Sequence, residues 1–325
     1  MNQLYPLKFT PIFNEKIWGG NRIKEVFGLN YNMDNCGEAW LISGLKEKAS
    51  VVSNGFLAGN ELPELLEIYM DDLLGGDNYE KYADNFPLLI KFIDSNDYLS
   101  VQVHPDDDMA EKLHKSFGKN EMWYLNKVEP GADIICGFNR NTNKDEFIEL
   151  LNKNRVKEVL NFMQVASGDV IYVPAGRIHS LGPGILLTEI QQSSDITYRV
   201  YDWDRKDKDG KLRELHTEFA VKALDYKFYK NYKTSYPDIS DIAVTLCSND
   251  FFTTNLLKLN KPINRDFGLI DSFVIYICQK GKCTLNYNTE KIELNQGEAL
   301  LIPALITEFS ISPDRYSELL EVYID

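Results

Sequence analysis

The sequence predicts a mainly β protein with two barrel-like domains and a small helical insertion. Short segments rich in β-branched and aromatic residues dominate the chain and end at Gly, Pro, Asn or Asp, which commonly terminate strands in turns. The chain has 325 residues, which suits two domains of roughly 150 residues each. A repeated pattern, described below, also indicates two related domains. The clearest strand segments are 88–93, 99–104, 132–137, 169–173, 185–191, 273–278, 283–287 and 299–302.

Helical patterns are fewer than strand patterns, so we expect the helices to lie on the outside of a core built from strands. Apolar residues at spacings of three and four predict a helix over 145–163, which we interpret as the insertion on the first barrel, near 140–165. The polar stretch 229–241 is the best candidate for the linker between the two domains. We therefore place an N-terminal catalytic domain at 1–235 and a C-terminal domain at 236–325. Three further helices are predicted at 63–70, 106–116 and 217–224.

The repeated pattern is GDVIYVPA at 168–175, matched by GEALLIPA at 297–304. Each copy reads as a turn glycine, an acidic residue, four apolar strand residues and a Pro-Ala end, which suits the edge of a small barrel. Five residues beyond the proline, the first copy has His179 and the second has Glu308. The sequence therefore predicts a metal site in the first barrel and a degenerate second barrel.

The charge balance excludes two classes of partner. The chain has 49 acidic and 35 basic residues and a formal net charge of −14. This charge repels nucleic acid and anionic membrane surfaces, so neither is expected to bind. A small phosphorylated ligand would have to be held by a few local cations that outweigh the overall charge.

The cysteines and the N-terminus indicate a protein of the cytoplasm. The five cysteines are odd in number and lack Cys-x-x-Cys spacing, so we expect free thiols in a reducing compartment. Cys278 and Cys283 could face each other across a hairpin, but buried free thiols are the favoured state. The chain shows no signal-peptide pattern and no apolar stretch approaching the ~20 residues that span a bilayer.

Four residues suggest a metal site. Gln102 and His104 alternate with valines, so on a strand both would point to one face. Buried there, they would need polar partners, and a metal ion is one such partner. Glu121 and His179 would complete a set of two imidazoles and a carboxylate, with the amide of Gln102 as a fourth donor, which is a normal environment for catalytic zinc. His114 and His216, at helix positions, are read as surface or capping residues.

Lys91 interrupts the apolar strand segment 88–93. An unpaired lysine is costly to bury, so we expect Lys91 to face a pocket where it has a functional or paired role.

Six motifs together resemble the type I phosphomannose isomerases in their short bacterial form, members of the cupin superfamily. They cover about the first two thirds of the chain, while the second barrel matches only loosely. The resemblance implies two cupin-like, jelly-roll β-barrels and an enzyme that interconverts mannose 6-phosphate and fructose 6-phosphate. The motifs are KIWGG (16–20), GEAW (37–40), SVQVHPD (100–106), GKNEMW (118–123), YVPAGRIH (172–179) and QQSSDITYRV (191–200).

The resemblance also implies roles for individual residues. One Zn²⁺ per chain would be bound by Gln102, His104, Glu121 and His179. Arg199 matches the essential active-site arginine of the family, and Lys91 and Lys119 would line the pocket beside the strand that carries the metal ligands. The substrate phosphate would contact Ser100 and Arg205.

The chemistry expected of this site is an aldose–ketose isomerisation, in which a base moves a proton between neighbouring carbons through an enediol or enediolate. The sequence leaves Asp195, Glu189 and Lys119 open as the base. It also leaves open two other functions, a cupin-type metal-dependent oxygenase and a non-catalytic phosphosugar-binding module. A monomer and a homodimer are both compatible with the sequence.

Overall fold

The computed structural model describes residues 4–206 and 210–325, and it confirms the mainly β architecture. Twenty strands account for most of the regular structure. In chain order they are β1 (Leu7–Lys8), β2 (Ile12–Gly20), β3 (Cys36–Ser43), β4 (Leu88–Ser95), β5 (Val101–Val103), β6 (Glu121–Val128), β7 (Asp133–Phe138), β8 (Leu160–Gln164), β9 (Val170–Val173), β10 (His179–Leu181), β11 (Ile185–Gln192), β12 (Tyr198–Tyr201), β13 (Lys233–Thr234), β14 (Ala243–Ser248), β15 (Thr253–Leu259), β16 (Ile263–Asp266), β17 (Val274–Tyr287), β18 (Glu290–Asn295), β19 (Ala299–Ile302) and β20 (Glu308–Tyr323).

The helices are short and lie outside the sheets. Three of the four predicted helices are confirmed, with Asp106 capping α4 by accepting a hydrogen bond from the backbone N–H of Met109. Among the described residues, no helix is long and apolar enough to cross a membrane. The helices are α1 (Arg22–Phe27), α2 (Leu62–Leu74), α3 (Gly76–Tyr82), α4 (Asp107–His114), α5 (Lys144–Asn152) and α6 (Thr217–Ala223), with 3₁₀ turns at Lys46–Lys48 and Val156–Val159.

The strands form three antiparallel sheets. Strands β12, β5, β10, β7 and β8 make a five-stranded sheet, and β13, β9, β6, β11, β4, β3 and β2 make a seven-stranded sheet. The other strands form an eight-stranded sheet, which contains the C-terminal strands together with β1, because β1 pairs with β19. The domain boundary between 235 and 236 stays a prediction.

The expected helix over 145–163 is wrong in its second half. Helix α5 ends at Asn152, and Asn154 adopts a positive φ of 55° that does not continue a helix. The chain then makes a 3₁₀ turn and enters β8, which pairs with β7. The apolar residues of this segment therefore belong to a helix in its first part and to a strand at its end. Only the first part forms a helical insertion.

The hairpin considered as an alternative for Cys278 and Cys283 does not form. Both cysteines lie on the single strand β17, which passes through irregular registers near Gly281 and continues to Tyr287. All five cysteines are free thiols, so the prediction of free cysteines is confirmed. Four of them are buried, and Cys247 is half-buried.

The two copies of the repeat have the same local structure. Their glycines, Gly168 and Gly297, have φ of 88° and 84°, and each is followed by an acidic side chain that accepts a hydrogen bond from the backbone N–H three residues earlier. In each copy a two-residue strand pairs with the motif strand and supplies a lysine to the acidic residue. These pairs are Lys233–Asp169 at 2.6 Å and Lys8–Glu298 at 2.7 Å.

The seven-stranded sheet contacts a different sheet on each of its two faces, because side chains alternate along its strands. Trp123 of β6 points toward the five-stranded sheet, where its ring lies 5.5 Å from the ring of His179. The next residue, Tyr124, points the opposite way and donates a 2.5 Å hydrogen bond to Glu318 of the eight-stranded sheet. The space between the five-stranded and seven-stranded sheets holds the polar cluster described next.

Candidate active site and metal centre

Three predicted metal ligands converge between the two facing sheets. Glu121 lies between the two histidines, with its carboxylate oxygens each 3.4 Å from one imidazole Nε2, that of His104 or of His179. All three residues are about 1 % exposed, and their potential ligand atoms lie within 4.8 Å of one another. β6 provides Glu121, β10 provides His179, and His104 follows directly after β5.

Backbone carbonyls orient both imidazoles. His104 Nδ1 lies 2.9 Å from the carbonyl oxygen of Ile196, and His179 Nδ1 lies 2.8 Å from that of Arg177. Because a carbonyl can only accept, Nδ1 carries the hydrogen in each ring and Nε2 keeps its lone pair. Burial lowers the pKa of both histidines, that of His179 to about 4, so both are neutral at physiological pH, as metal ligation requires.

The surroundings of Glu121 fit a divalent ion. Neither of its buried oxygens receives a well-directed hydrogen bond from the part of the chain that the structure describes, although Lys119 Nζ lies 2.9 Å from Oε2. A buried carboxylate without such donors is costly unless cations compensate it, and Lys119 pairs with only one of the two oxygens. Two imidazole nitrogens and a carboxylate oxygen are donors that suit zinc.

Gln102 completes this cluster through the pairing of the five-stranded sheet. It lies opposite His179 on one neighbouring strand and opposite Arg199 on the other. Its Nε2 is 3.3 Å from His179 Nε2, and its Oε1 is 3.4 Å from the Ser100 hydroxyl. The oxygen and nitrogen of an amide are interchangeable by a half-turn, which would bring Oε1 to the ligand side and let Nε2 donate to Ser100.

A cavity of about 210 Å³ opens beside this cluster. Gln102 and His179 line it together with five cationic and three acidic side chains, so its lining is locally positive although the protein carries −14. Among the predicted site residues, Lys91, Ser100, Lys119, Asp195 and Arg199 also line it. The cations are Lys16, Lys91, Lys119, Arg199 and Arg213, and the acids are Glu38, Glu189 and Asp195.

Lys91 is a buried pocket residue, as predicted from its apolar strand. It is 2 % exposed, and its Nζ lies 3.4 Å from Glu189 Oε1 and 5.0 Å from the centre of the Trp40 ring. Burial and the nearby Glu121 carboxylate raise the pKa of Glu189. Lys91 thus has the paired role that its burial requires.

Glu38 is a second buried carboxylate in the cavity lining. It accepts a 2.8 Å hydrogen bond from Trp40 Nε1 and lies 3.2 Å from Lys16 Nζ. Burial alone would raise the pKa of Glu38, but the charges of Lys91 and Lys16 outweigh it and lower the pKa. Glu38 therefore stays ionised at the edge of the cavity.

Arg199 has an unpaired guanidinium nitrogen in the cavity lining. Its Nη1 donates a 2.8 Å hydrogen bond to the carbonyl of Glu214, while its buried Nε has no hydrogen-bond partner among the described residues. Burial, and then the like charge of Arg213, lower the pKa of Arg199. Two neighbouring guanidinium groups in one cavity favour a doubly charged anion between them.

Arg205 occupies a different position from the other predicted residues. It is not among the described residues that line the cavity; its Nη2 lies 2.7 Å from Asp202 Oδ1, and its Nη1 donates to the carbonyl of Tyr98. Asp202 also holds Arg213, whose Nε lies 2.6 Å from Oδ2. Arg213 reaches the cavity from this shared carboxylate.

The sequence did not identify Lys16, Glu38 and Arg213 as individual site residues. Glu38 lies in a wholly buried strand, so the reasoning that identified Lys91 could have found it. Lys16 begins the KIWGG motif, which could have drawn attention to it, whereas Arg213 lies outside all six motifs.

Comparisons with known proteins identify the family of this chain. The family model for the catalytic domain of type I phosphomannose isomerase matches residues 6–131, and that for the cupin domain of mannose-6-phosphate isomerase matches residues 243–316. The mannose-6-phosphate isomerase of Streptococcus mutans is 34 % identical over 95 % of this chain and 96 % of its own length. Mannose-6-phosphate isomerase ManA of Bacillus subtilis is 34 % identical over 94 % and 95 %.

Solved structures extend the agreement to the whole fold. The crystal structure of the mannose 6-phosphate isomerase from Bacillus subtilis superimposes with a TM-score of 0.88 at 32 % identity, covering 98 % of this chain and 99 % of that one. A putative mannosephosphate isomerase from Archaeoglobus fulgidus shares the fold, with a TM-score of 0.79 at 22 % identity and coverage of 98 % and 97 %. The likeness spans nearly the whole chain, beyond the two thirds that carry the motifs. The chain therefore belongs to the type I phosphomannose isomerases, enzymes also named mannose-6-phosphate isomerases, and has their cupin-like fold.

Proposed function

We propose that this enzyme interconverts mannose 6-phosphate and fructose 6-phosphate in the cavity between its two facing sheets. The observation that carries the proposal is the buried group of His104, Glu121 and His179, with Glu121 left without well-directed donors beside a cation-rich cavity. We assign one zinc ion per chain to these three residues and Gln102. A bound zinc ion would act as a Lewis acid on the carbonyl or hydroxyl oxygen of the sugar.

The reaction moves a proton between C1 and C2 of the open-chain sugar through an enediol or enediolate. The carboxylates that line the cavity, Glu189 and Asp195, are the candidates for the base that carries this proton. Burial raises the pKa of Glu189, which makes its carboxyl easier to protonate during turnover. Asp195 is the exposed one of the two carboxylates in the cavity lining.

Lys119 is better suited to stabilise negative charge than to accept a proton. Burial alone would lower its pKa, but the carboxylates of Glu121 and Glu189 outweigh burial and raise the pKa. Lys119 therefore stays an ammonium group at neutral pH. Together with Arg199 and Lys91, it provides positive charge where the sugar oxygens become negative in the transition state.

The phosphate group of the substrate would be held away from the reacting carbons, so that its binding energy aligns them. Ser100 lines the cavity and was expected to contact the phosphate. We assign the cationic contact to Arg213, which lines the cavity and lies near Arg199, and we assign Arg205 an indirect role through Asp202.

The two other functions considered for this chain have less support. A metal-dependent oxygenase commonly has more imidazole ligands than the two present here, and the relatives are isomerases. A non-catalytic sugar-binding module would not need a buried metal-binding group beside the sugar site. An oxygen-uptake measurement on the purified protein tests the oxygenase directly.

A coupled assay for fructose 6-phosphate tests the proposed function. It is run on the protein as purified, after chelation and after return of zinc, with metal content measured each time. Chelation and His179→Ala are expected to abolish turnover together with metal binding, whereas Arg199→Ala is expected to abolish turnover and keep the metal. Arg155→Ala, which removes a surface ion pair with Glu158, is the matched control for Arg199→Ala. Full activity after complete chelation would refute the metal centre.

A further inference from the structure

The segment 225–232 lies across the outer side of the turn that carries His179. The backbone N–H of Asp225 donates a 2.9 Å hydrogen bond to the carbonyl of Gly176. Gly176 has a φ of 84°, and a Cβ at this position would lie 2.9 Å from the carbonyl oxygen of Ala223. The turn and the crossing segment are therefore packed backbone against backbone, which only glycine allows.

Arg177 is held between two aromatic rings of this segment. Its guanidinium carbon lies 4.3 Å from the centre of the Tyr229 ring and 4.9 Å from that of Tyr232. Its Nε is buried without a hydrogen-bond partner among the described residues. The ring faces are thus major partners of this cation, in the geometry of a cation–π contact.

Both tyrosines are themselves fixed. The Tyr229 hydroxyl donates a 2.7 Å hydrogen bond to Asp225 Oδ2. The Tyr232 hydroxyl donates at 3.2 Å to the carbonyl of Phe138, and it fits there because the adjacent Gly137 has no side chain; a Cβ would lie 2.2 Å from the hydroxyl oxygen. A fixed pair of rings fixes the arginine side chain between them.

The backbone of Arg177 acts directly on the metal-binding group. Its carbonyl oxygen accepts the Nδ1–H hydrogen bond that sets the tautomer of His179. The preceding residue, Gly176, donates its backbone N–H to the carbonyl of His104 at 2.9 Å. One turn therefore contacts the side chain of one histidine and the backbone of the other.

We propose that Arg177, clamped by Tyr229 and Tyr232, is a positioning residue that holds the metal-binding histidines in place. The inference rests on the proposed function of His179 as a ligand. Partners that orient a metal-binding histidine commonly change metal affinity about 10- to 100-fold when they are lost. The clamp links the predicted interdomain linker, 229–241, to metal affinity without touching substrate.

The test measures zinc binding rather than activity. The apoprotein competes with a chromophoric chelator for zinc, and the absorption spectrum of the cobalt(II) form reports ligand geometry. Arg177→Met and Tyr229→Leu are expected to raise the zinc Kd about tenfold and to change the cobalt spectrum. Arg177→Lys keeps a cation between the rings and is expected to recover most of the affinity. Tyr229→Phe keeps the ring face and loses only the hydroxyl's hydrogen bond to Asp225, so it is expected to lose less zinc affinity than Tyr229→Leu.

Lys81→Met is the matched control, because it removes a cation 5.0 Å from the Tyr82 ring on α3. Tyr229 is 37 % exposed, so its variants test the clamp even where Arg177→Met does not fold. Equal zinc affinity and equal cobalt spectra for Tyr229→Leu, Arg177→Met and the unmodified protein would overturn the clamp. Unchanged zinc affinity of His179→Ala would instead overturn the metal centre on which the clamp depends.

Discussion

Replacing Arg213 by methionine is expected to weaken recognition of the substrate phosphate. Arg213 lines the cavity with its guanidinium oriented by Asp202, and its charge lies near that of Arg199. A hydrogen bond to a charged group contributes about 1.5–3 kcal/mol. Since 1.36 kcal/mol corresponds to a factor of ten in rate, Arg213→Met should lower kcat/KM for mannose 6-phosphate roughly 10- to 150-fold.

The matched variant is Arg205→Met, which removes the other arginine held by the same carboxylate. Because Arg205 is turned toward Tyr98 and Asp202, its loss should change kcat/KM less than about threefold, within the range of an indirect effect. The coupled assay gives kcat and KM for both variants, and competitive inhibition by inorganic phosphate measures the phosphate contact alone. Arg213→Met should weaken this inhibition and Arg205→Met should not. The reverse pattern would refute the assignment of Arg213 and restore Arg205 to the phosphate site.

Two further predictions concern stability. Gly281→Ala is expected to lower the free energy of unfolding in urea by more than about 2 kcal/mol, because φ is 75° and a Cβ would lie 2.1 Å from the Tyr316 carbonyl oxygen. Gly59→Ala, at a φ of 95° with open space around it, should lower the free energy of unfolding by only about 1 kcal/mol. Equal losses of stability in the two variants would contradict this reasoning. Burial raises the pKa of Asp202, but hydrogen bonds and charges from its two arginines lower it overall. The ionised Asp202 therefore contributes fully to the free energy of unfolding above the unfolded-state pKa near 3.9, and this contribution is lost as the pH falls further. Asp202→Asn should accordingly make the free energy of unfolding, measured in urea, depend less on pH in the acid range.

The candidate metal-binding group was predictable because its residue types and their alternation are visible in short segments. A valine–polar alternation places Gln102 and His104 together, and a lysine within an apolar strand identifies a pocket residue at Lys91. The strand segment 299–302 agrees with β19 at both ends, because a turn glycine and a proline bound it. Local signals of this kind determine elements and their faces.

The features that the sequence did not predict depend on contacts between distant segments. The segment 145–163 keeps helical spacing of apolar residues, yet its end becomes β8 because β7 offers a free edge for pairing. Arg213 reaches the cavity only because Asp202, eleven positions earlier, accepts hydrogen bonds from it. Neither partner can be identified from the residues that surround the segment in the sequence.

The alternation of side chains on β6 and β11 connects the eight-stranded sheet to the strands that carry the candidate site residues. Glu189 of β11 faces the cavity, while the preceding Thr188 donates a 2.8 Å hydrogen bond to Gln279 of the eight-stranded sheet. On β6 the same alternation turns Glu121 to the histidines and Tyr124 to Glu318. Buried polar contacts fix register strictly, because a shift of one residue would exchange the two faces and leave every group unpaired. The eight-stranded sheet thus packs, from the opposite face, against the two strands that carry Glu121 and Glu189, which gives the C-terminal strands a structural role in positioning these side chains.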